Sequence, residues 1–156
     1  MALKTLRFLS LFLSALLAGM LFCHLLELPN KMKLSATTWL TVQQVLYNAF
    51  GPVSSVIEPL AIISTGSLLF MLRGRRPAFA LTLVALLCLL VHLASWFIVV
   101  NPVNSEVNSW TPATMPARWI AARDRWEYGH AAGAVIALAA LGALIAAVLS
   151  DSDGRS

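Results

Sequence analysis

The sequence predicts an all-α integral membrane protein, a single domain of residues 1–150 built as a four-helix bundle. The chain is 59% hydrophobic and only 12% charged, whereas soluble domains are about 45–50% apolar and about a quarter charged. Its apolar residues are concentrated in four runs of about 20 residues, the length that crosses the hydrocarbon core of a bilayer. We therefore predict transmembrane spans at residues 6–28, 53–72, 78–100 and 128–149.

The first span has Lys4 and Arg7 at its start, as a signal peptide does. Its apolar run is longer than the usual signal core, and no Ala-x-Ala cleavage site follows it, so we expect the span to be retained. Cys23 lies in this span and Cys88 lies in the third. Since the chain has no Cys-x-x-Cys motif, we expect two free, buried thiols rather than a disulfide.

The segment between the first two spans is predicted to contain an interfacial amphipathic helix. Ser35 is a suitable N-cap, and apolar residues recur after it at helical spacing,. We expect Trp39 and Tyr47 to lie at the depth of the lipid headgroups, where amphipathic rings are enriched. Gly51-Pro52 ends this helix and starts the second span.

The outer segment between the last two spans is rich in proline and tryptophan. Residues 101–104, Asn-Pro-Val-Asn, predict a turn that ends the third helix, and a new helix is expected from near Pro116 into the fourth span. Arg123 and Glu127 are four residues apart on that helix, which predicts an ion pair. The chain ends in a polar tail, residues 151–156, that we expect to be disordered.

Basic residues set the predicted orientation in the membrane. Lys4 and Arg7 lie at the start of the first span. Arg73, Arg75 and Arg76 fill the short connection between the second and third spans. Short basic segments stay in the cytoplasm, so we predict cytoplasmic termini in a multi-pass protein of the inner (plasma) membrane. These residues explain the net charge of +4 without an acidic partner, and no nucleic-acid-binding motif is present.

Six ionisable side chains fall at the predicted outer ends of the spans: His24, Glu27, Glu58, His92, Glu127 and His130. Ionisable groups inside hydrocarbon are costly and are usually paired or functional. Four helices of alternating direction bring all six to one level, and a three-residue spacing lets His24 and Glu27, or Glu127 and His130, converge. The pattern therefore predicts a polar site inside the bundle.

Three interpretations of this polar site stay open at this point. Bundles that bind two metal ions carry a Glu-x-x-His on each of two helices and a Glu on each of the others. The six residues match that pattern in part, so the expected cofactor is either none or a transition metal. A neutral His92 that donates to Glu58 would satisfy both groups without metal, in a ligand pocket or in a structural network. His92 lies about 12 Å inside its span.

Five tryptophans also fall on the predicted outer side: Trp39, Trp96, Trp110, Trp119 and Trp126. An aromatic belt places tryptophan at both interfaces of a membrane, so a belt alone does not explain this distribution. The tryptophans either line a pocket for a flat aromatic ligand or fill a lid formed by the two outer segments.

Two stretches of the chain resemble the anthrone oxygenase-like family of small membrane proteins. One is Asn-Pro-Val-Asn at 101–104, followed by Trp110 and by Trp-x-x-x-Arg-x-x-Trp-Glu-x-x-His at 119–130. The other, His-Leu-Leu-Glu-Leu-Pro-Asn-Lys at 24–31, resembles a bacterial branch of unknown function. Fungal members are implicated in oxidising anthrones to anthraquinones with no established organic cofactor. The resemblance covers most of the chain and implies oxygen chemistry on a flat polyphenol beside the histidine-bearing helices.

Two classes of function follow from these residues. An oxidoreductase acting on a small aromatic, anthrone-like or quinol-like molecule would use a histidine as the base and a glutamate to orient it. The predicted catalytic residues are His92, His130, Glu58 and Glu127, and the predicted ligand-binding residues are His24, Glu27, Asn104, Trp96, Trp119, Arg123 and Trp126. The alternative is a non-enzymatic membrane protein that binds a lipid or hydrophobic ligand or stabilises a membrane complex. The lipid bilayer is the one required partner, and the oligomeric state is left open.

A reporter enzyme fused after Ser156 tests the predicted orientation. We expect activity only from a reporter that works in the cytoplasm, because the basic segments near Arg7 and Arg75 hold both termini there. An active periplasmic reporter at the same site would reverse the arrangement and put the six ionisable side chains at the cytoplasmic side.

Overall fold

The computed structural model describes residues 1–153 and confirms the predicted all-α fold. In chain order the helices are α1 (Ala2–Lys31), α2 (Ala36–Thr41), α3 (Phe50–Met71), α4 (Arg76–Ser95), α5 (Asn101–Val107) and α6 (Trp119–Asp153). Two π-helical segments continue these helices, Val42–Leu46 after α2 and Trp96–Val100 between α4 and α5. The described part of the chain contains no strand.

Four stretches of helix are long and apolar enough to cross a membrane, which makes the chain a multi-pass membrane bundle. They are Ala2–Lys31, Phe50–Met71, Arg76–Val107 and Trp119–Asp151. Their most apolar windows have mean hydropathies between 1.6 and 2.7, and each stretch overlaps one predicted span. Large apolar side chains such as Phe8, Ile63 and Phe70 are exposed on the bundle, as expected for surfaces that face lipid tails.

The start of α1 and the end of α6 lie at the same end of the bundle, where an ion cluster joins α1, α6 and the turn before α4. Asp151 of α6 accepts hydrogen bonds from Arg7 of α1 and from Arg75, which precedes α4. The Arg75 Nη1 to Asp151 Oδ2 distance is 2.6 Å, and we call this the arginine end. Residues 151–153, predicted as the start of a disordered tail, are instead the last turn of α6 because these contacts hold it. The rest of that predicted tail, 154–156, lies outside the described residues.

Helix α1 packs through a stripe of residues spaced three and four apart. The buried residues of this stripe are Ser10, Ser14, Leu17, Leu21 and His24, and Lys31 continues it two turns later. Such spacing keeps side chains on one face of a helix, so α1 directs the polar His24 and Lys31 towards the same interior as its apolar core residues. Cys23 lies off this stripe and is exposed rather than buried as predicted, although both cysteines are free as expected.

Small residues on α6 let the neighbouring helices approach it closely. Ala134, Ala137 and Ala140 are buried in the central core. A Cβ at Gly129 would lie 3.0 Å from Cγ2 of Val100, so the absence of a side chain permits this contact. Membrane helices depend on such close approach, because lipid tails provide no hydrophobic driving force between helices.

The segment between α1 and α3 packs into the protein instead of lying freely at its surface. Ser35 caps α2 as predicted, and its Oγ accepts a hydrogen bond from an amide of the first turn at 3.3 Å. Trp39 is 0% exposed and Tyr47 is 8% exposed, so their rings contact protein rather than lipid headgroups. Hydrogen bonds hold both rings inside, because the indole N–H and the phenol O–H donate to carboxylates of the bundle.

Residues 101–104 continue the third span instead of ending it. The π-helical segment Trp96–Val100 leads directly into α5, so helix continues to Val107. Pro102 fits because it stands in the first turn of α5, where the missing N–H of a proline does no harm. The predicted turn at 101–104 is wrong because proline favours the start of a helix as well as its end.

The ion cluster at the arginine end should stabilise the fold measurably. Asp151→Ala leaves the Arg7 side chain, 17% exposed, without its carboxylate, and stranding a partly buried partner costs about 1–3 kcal/mol. We expect a lower midpoint of thermal unfolding in detergent, followed by circular dichroism. Glu106→Ala is the control, because it removes an exposed pair with Arg118, which contributes about 0–1 kcal/mol. Equal midpoints for the two variants would contradict the prediction.

Candidate functional site

A cavity of about 420 Å³ lies at the end of the bundle opposite the arginine end. Its lining includes all three histidines of the chain, His24 from α1, His92 from α4 and His130 from α6, and we call it the histidine cavity. Glu58 adds a side chain from α3, so all four spans contribute. The volume is within the range of small-molecule sites, about 300–1,000 Å³.

Seven of the eleven predicted site residues border this cavity: His24, Glu58, His92, Trp96, Asn104, Trp126 and His130. The other four, Glu27, Trp119, Arg123 and Glu127, do not border it. Both glutamates contact residues of the cavity wall. Trp119 instead packs against Trp39, with ring centroids 6.2 Å apart, in an aromatic cluster beside the cavity.

His92 and Glu58 form a buried pair deep in the bundle, the contact that the metal-free interpretations of the site require. The distance between His92 Nδ1 and Glu58 Oε1 is 2.6 Å, and the residues are 4% and 6% exposed. With the carboxylate as acceptor, Nδ1–H donates, and in a neutral imidazole Nε2 then keeps its lone pair. The arrangement can therefore act as a base that its carboxylate partner orients.

Gly133 of α6 makes room for the His92 ring. A Cβ at this position would lie 3.0 Å from both Nε2 and Cδ2 of His92, so a side chain here would push the imidazole away. His130 stands three residues earlier on the same face of α6. Helix α6 thereby brings the rings of His92 and His130 to neighbouring positions in the cavity wall.

His24, His130 and Trp126 form a stack of rings along one wall of the cavity. The centroids of His24 and His130 are 4.2 Å apart with an interplanar angle of 28°, and those of Trp126 and His130 are also 4.2 Å apart. Trp126 Nε1 donates to Asn104 Oδ1 at 2.7 Å, which fixes the indole. The Tyr47 ring lies 4.7 Å from His24. This wall therefore combines aromatic faces with imidazole nitrogens.

Lys31 is the main residue of the site that sequence reasoning missed. It is 4% exposed. Its Nζ lies 2.9 Å from Glu127 Oε2, 3.6 Å from Glu27 Oε2 and 3.4 Å from His24 Nδ1. Two aromatic rings of the cavity wall flank the ammonium at 4.9 and 4.8 Å. One feature of the sequence could have identified it: Lys31 follows His24 by seven residues, so the two lie on the same face of α1.

Glu127 pairs with Lys31, not with Arg123 as predicted. Glu127 is 1% exposed and also accepts a hydrogen bond from Trp39 Nε1 at 3.0 Å. The guanidinium of Arg123 instead donates to the carbonyl of Met32 at 3.0 Å, just past the end of α1. The predicted pair is wrong because the ends of α1 and α6 meet here and offer both side chains other partners.

The segment after α2 covers the histidine cavity and is fixed on two sides. On one side the Tyr47 hydroxyl donates to Glu27. Burial, and then this hydrogen bond to a carboxylate, raise the pKa of Tyr47 above its usual value, so the hydroxyl stays protonated at neutral pH. On the other side Gln44 Nε2 donates to the carbonyls of Val107 and Trp110 at 2.8 and 2.9 Å.

The six candidate metal ligands do not converge on one point. Among residues 1–153, no three His, Cys, Asp or Glu side chains are arranged to hold a metal ion. The Lys31 ammonium lies between the carboxylates of α1 and α6 and beside His24, while Glu58 and His92 bind each other. The ammonium of Lys31 therefore occupies the position between Glu27, Glu127 and His24 in which the six-ligand hypothesis would put a metal ion.

The histidine cavity opens sideways between α3 and the π-helical segment. Ser55, Pro59 and Phe97 line it and are also exposed on the outside of the bundle. Pro59 has no N–H, so the carbonyl of Ser55 lacks its helical partner, and π-helical turns recur at functional sites. On this side the cavity therefore borders the surface that lipid covers.

No family model, no curated protein and no solved structure matches the chain. The resemblance to the anthrone oxygenase-like family therefore stays a prediction, and the geometry of the cavity carries the functional argument.

Gly133→Ala tests the contact between α6 and His92. The new Cβ would lie 3.0 Å from Nε2 of His92, and overpacking of this kind costs about 1–3 kcal/mol. Gly142→Ala on the same helix is the matched control, because nothing lies within 4 Å of its Cβ and alanine is the better helix former by about 1 kcal/mol. We expect the midpoint of thermal unfolding to fall for Gly133→Ala only. A rise for both variants would contradict the close contact.

Proposed function

We propose that the protein is a membrane-embedded oxidoreductase. It takes a proton from a small aromatic molecule in the histidine cavity, and dioxygen oxidises the resulting anion. The observation that carries this proposal is the pair of His92 and Glu58, 2.6 Å apart, buried and bordering a cavity lined by aromatic rings. A substrate of the anthrone or quinol type suits this chemistry.

In the proposed reaction, His92 Nε2 removes a benzylic or phenolic proton, and the Glu58 carboxylate stabilises the imidazolium that forms. Burial strengthens this stabilisation, because the effective dielectric constant is lower than in water. The electron-rich anion then reduces dioxygen. For an anthrone, the methylene carbon loses two hydrogens and gains one oxygen atom. The second oxygen atom leaves with those hydrogens as water.

The lining of the cavity supports a flat, apolar substrate. Tyr47, Phe50, Trp96 and Trp126 contribute aromatic rings, and such rings bind flat molecules through stacked or edge-to-face contacts. His130, the second predicted base, stands in the same wall. The sideways opening supports supply from the bilayer, in which an apolar aromatic molecule dissolves.

We further propose that the histidine cavity faces outward from the plasma membrane and that both termini are cytoplasmic. Arg7 and Arg75 lie together at the opposite end of the bundle, and Arg73 and Arg76 flank the same turn. Basic residues in a short connection favour the cytoplasmic side.

Oxidation of anthrone or a quinol by the purified protein in lipid nanodiscs tests this function. We expect a rate above the spontaneous one, and a loss of about 10²–10⁴-fold for His92→Gln, because the base is removed. Glu58→Gln should also lower the rate, since it removes the charge that stabilises the imidazolium. Glu106→Gln is the control and should leave the rate unchanged, because Glu106 lies outside the histidine cavity.

If folded protein, with a normal unfolding midpoint, oxidises the molecule only at the spontaneous rate, the proposal that it is an enzyme is wrong. Tight binding of the aromatic molecule without turnover would then support the alternative, a non-enzymatic membrane protein that binds a lipid or hydrophobic ligand. His92 and Glu58 would in that case serve recognition alone.

A further inference from the structure

We infer that Lys31 is a positioning residue that fixes the tautomer of His24. In that tautomer His24 donates a hydrogen bond into the histidine cavity, whereas His92 accepts one. This role rests on one part of the proposed function, that a small molecule binds in the cavity, and does not require the oxidation. The pair of histidines then specifies what the molecule must carry: an acceptor oxygen close to an acidic hydrogen.

Lys31 Nζ can only donate hydrogen bonds. Its ammonium lies between two carboxylates, with Glu127 Oε2 at 2.9 Å and Glu27 Oε2 at 3.6 Å. An ammonium has three donors and no acceptor, so at its contact of 3.4 Å with His24 Nδ1 the histidine nitrogen must accept. A neutral imidazole with a lone pair on Nδ1 carries its hydrogen on Nε2.

This contact is held in place from outside the cavity. Lys31 is 4% exposed and does not border the cavity. Its partner Glu127 is fixed in turn by Trp39 Nε1 at 3.0 Å and by Gln43 Nε2 at 3.5 Å. Lys31 and His24 lie two turns apart on one face of α1, so the helix backbone sets their spacing. Lys31 therefore acts on a ligand only through His24.

His24 and His92 both line the cavity, and Nε2 is the ring nitrogen that each leaves without a partner in the described part of the protein. Each ring has its Nδ1 occupied by a charged neighbour. Within residues 1–153, neither Nε2 has a hydrogen-bond partner, and neither is among the unpartnered atoms enclosed by protein. Lys31 donates to one ring, and the Glu58 carboxylate accepts from the other. The two Nε2 atoms therefore have opposite roles, one as donor and one as acceptor.

A fixed donor and a fixed acceptor in one cavity select a ligand with the complementary pair of groups. A hydroxylated aromatic ketone or a quinol has them, because its acidic hydrogen meets His92 Nε2 while an oxygen meets His24 Nε2–H. As the proton leaves, negative charge develops on that oxygen, and a donor already in place stabilises it. A hydrocarbon or a lipid chain offers neither group.

Nitrogen-15 NMR of the three histidines, in the full chain in nanodiscs, reads these tautomers directly. We expect hydrogen on Nε2 of His24 and on Nδ1 of His92. Lys31→Met combined with Glu127→Gln removes the donor without stranding a buried carboxylate, and should release His24 into a mixture of tautomers. Glu127→Gln alone keeps the donor and is the matched control, in which His24 should stay fixed.

Hydrogen on Nδ1 of His24 in the unaltered protein would overturn the role of Lys31, and so would an unchanged tautomer in the double variant. The position of the hydrogen on His24 is read in the unaltered protein, so this part of the test does not depend on whether a variant folds. A purely structural role of Lys31 would change the unfolding midpoint and leave the tautomer of His24 as it was.

Binding of anthraquinone and anthracene separates this role from the proposed oxidation. The two molecules share a flat three-ring skeleton, neither offers an acidic hydrogen, and only anthraquinone has carbonyl acceptors. At equal mole fraction in the membrane, we expect about tenfold tighter binding of anthraquinone, the effect of one hydrogen bond, measured by quenching of tryptophan fluorescence. The double variant should lose this preference. Equal affinities in the unaltered protein would contradict the donor role of His24, whatever the rate of oxidation.

Discussion

A buried ion pair between Lys31 and Glu127 holds together the end of the bundle that contains the histidine cavity. The two charged atoms are 2.9 Å apart, and the residues are 4% and 1% exposed. Buried charges persist only when they are paired and hydrogen-bonded. The end of α1 must therefore stay against α6, and the segment that carries Trp39 must stay over both, because its indole N–H donates to Oε1 of the same carboxylate at 3.0 Å.

The same requirement explains how a polar cavity is stable inside a bundle whose outer surface is apolar. Glu58 accepts a hydrogen bond from His92 at 2.6 Å, and His24 accepts from an ammonium instead of being left unpaired. The side chains that line the cavity are therefore oriented before any ligand binds. Pro59 of α3 and Phe97 of the π-helical segment line the cavity and are exposed, so the cavity borders the lipid-facing surface on that side. The orientation of the polar side chains and the access of a ligand to the cavity therefore depend on different parts of the fold.

The fold class, the four spans, and the histidines and the glutamate that line the cavity could be predicted from the sequence. The length of an apolar run is a local property, and about 20 such residues cross a bilayer whatever they pack against. The cap of α2 at Ser35 is equally local. Ionisable residues in these runs must be paired or functional, which identified His24, His130 and the pair of His92 and Glu58 without any knowledge of their contacts.

The partner that each polar side chain takes depends on contacts between helices, which the sequence pattern does not contain. A spacing rule ranks partners on one helix, and it favoured Arg123 for Glu127. The end of α1 meets the start of α6 at this point, however. Lys31, from a distant part of the chain, therefore pairs with Glu127, and both side chains are buried in this contact. Contacts between segments far apart in sequence depend on geometry and desolvation, which no local pattern contains.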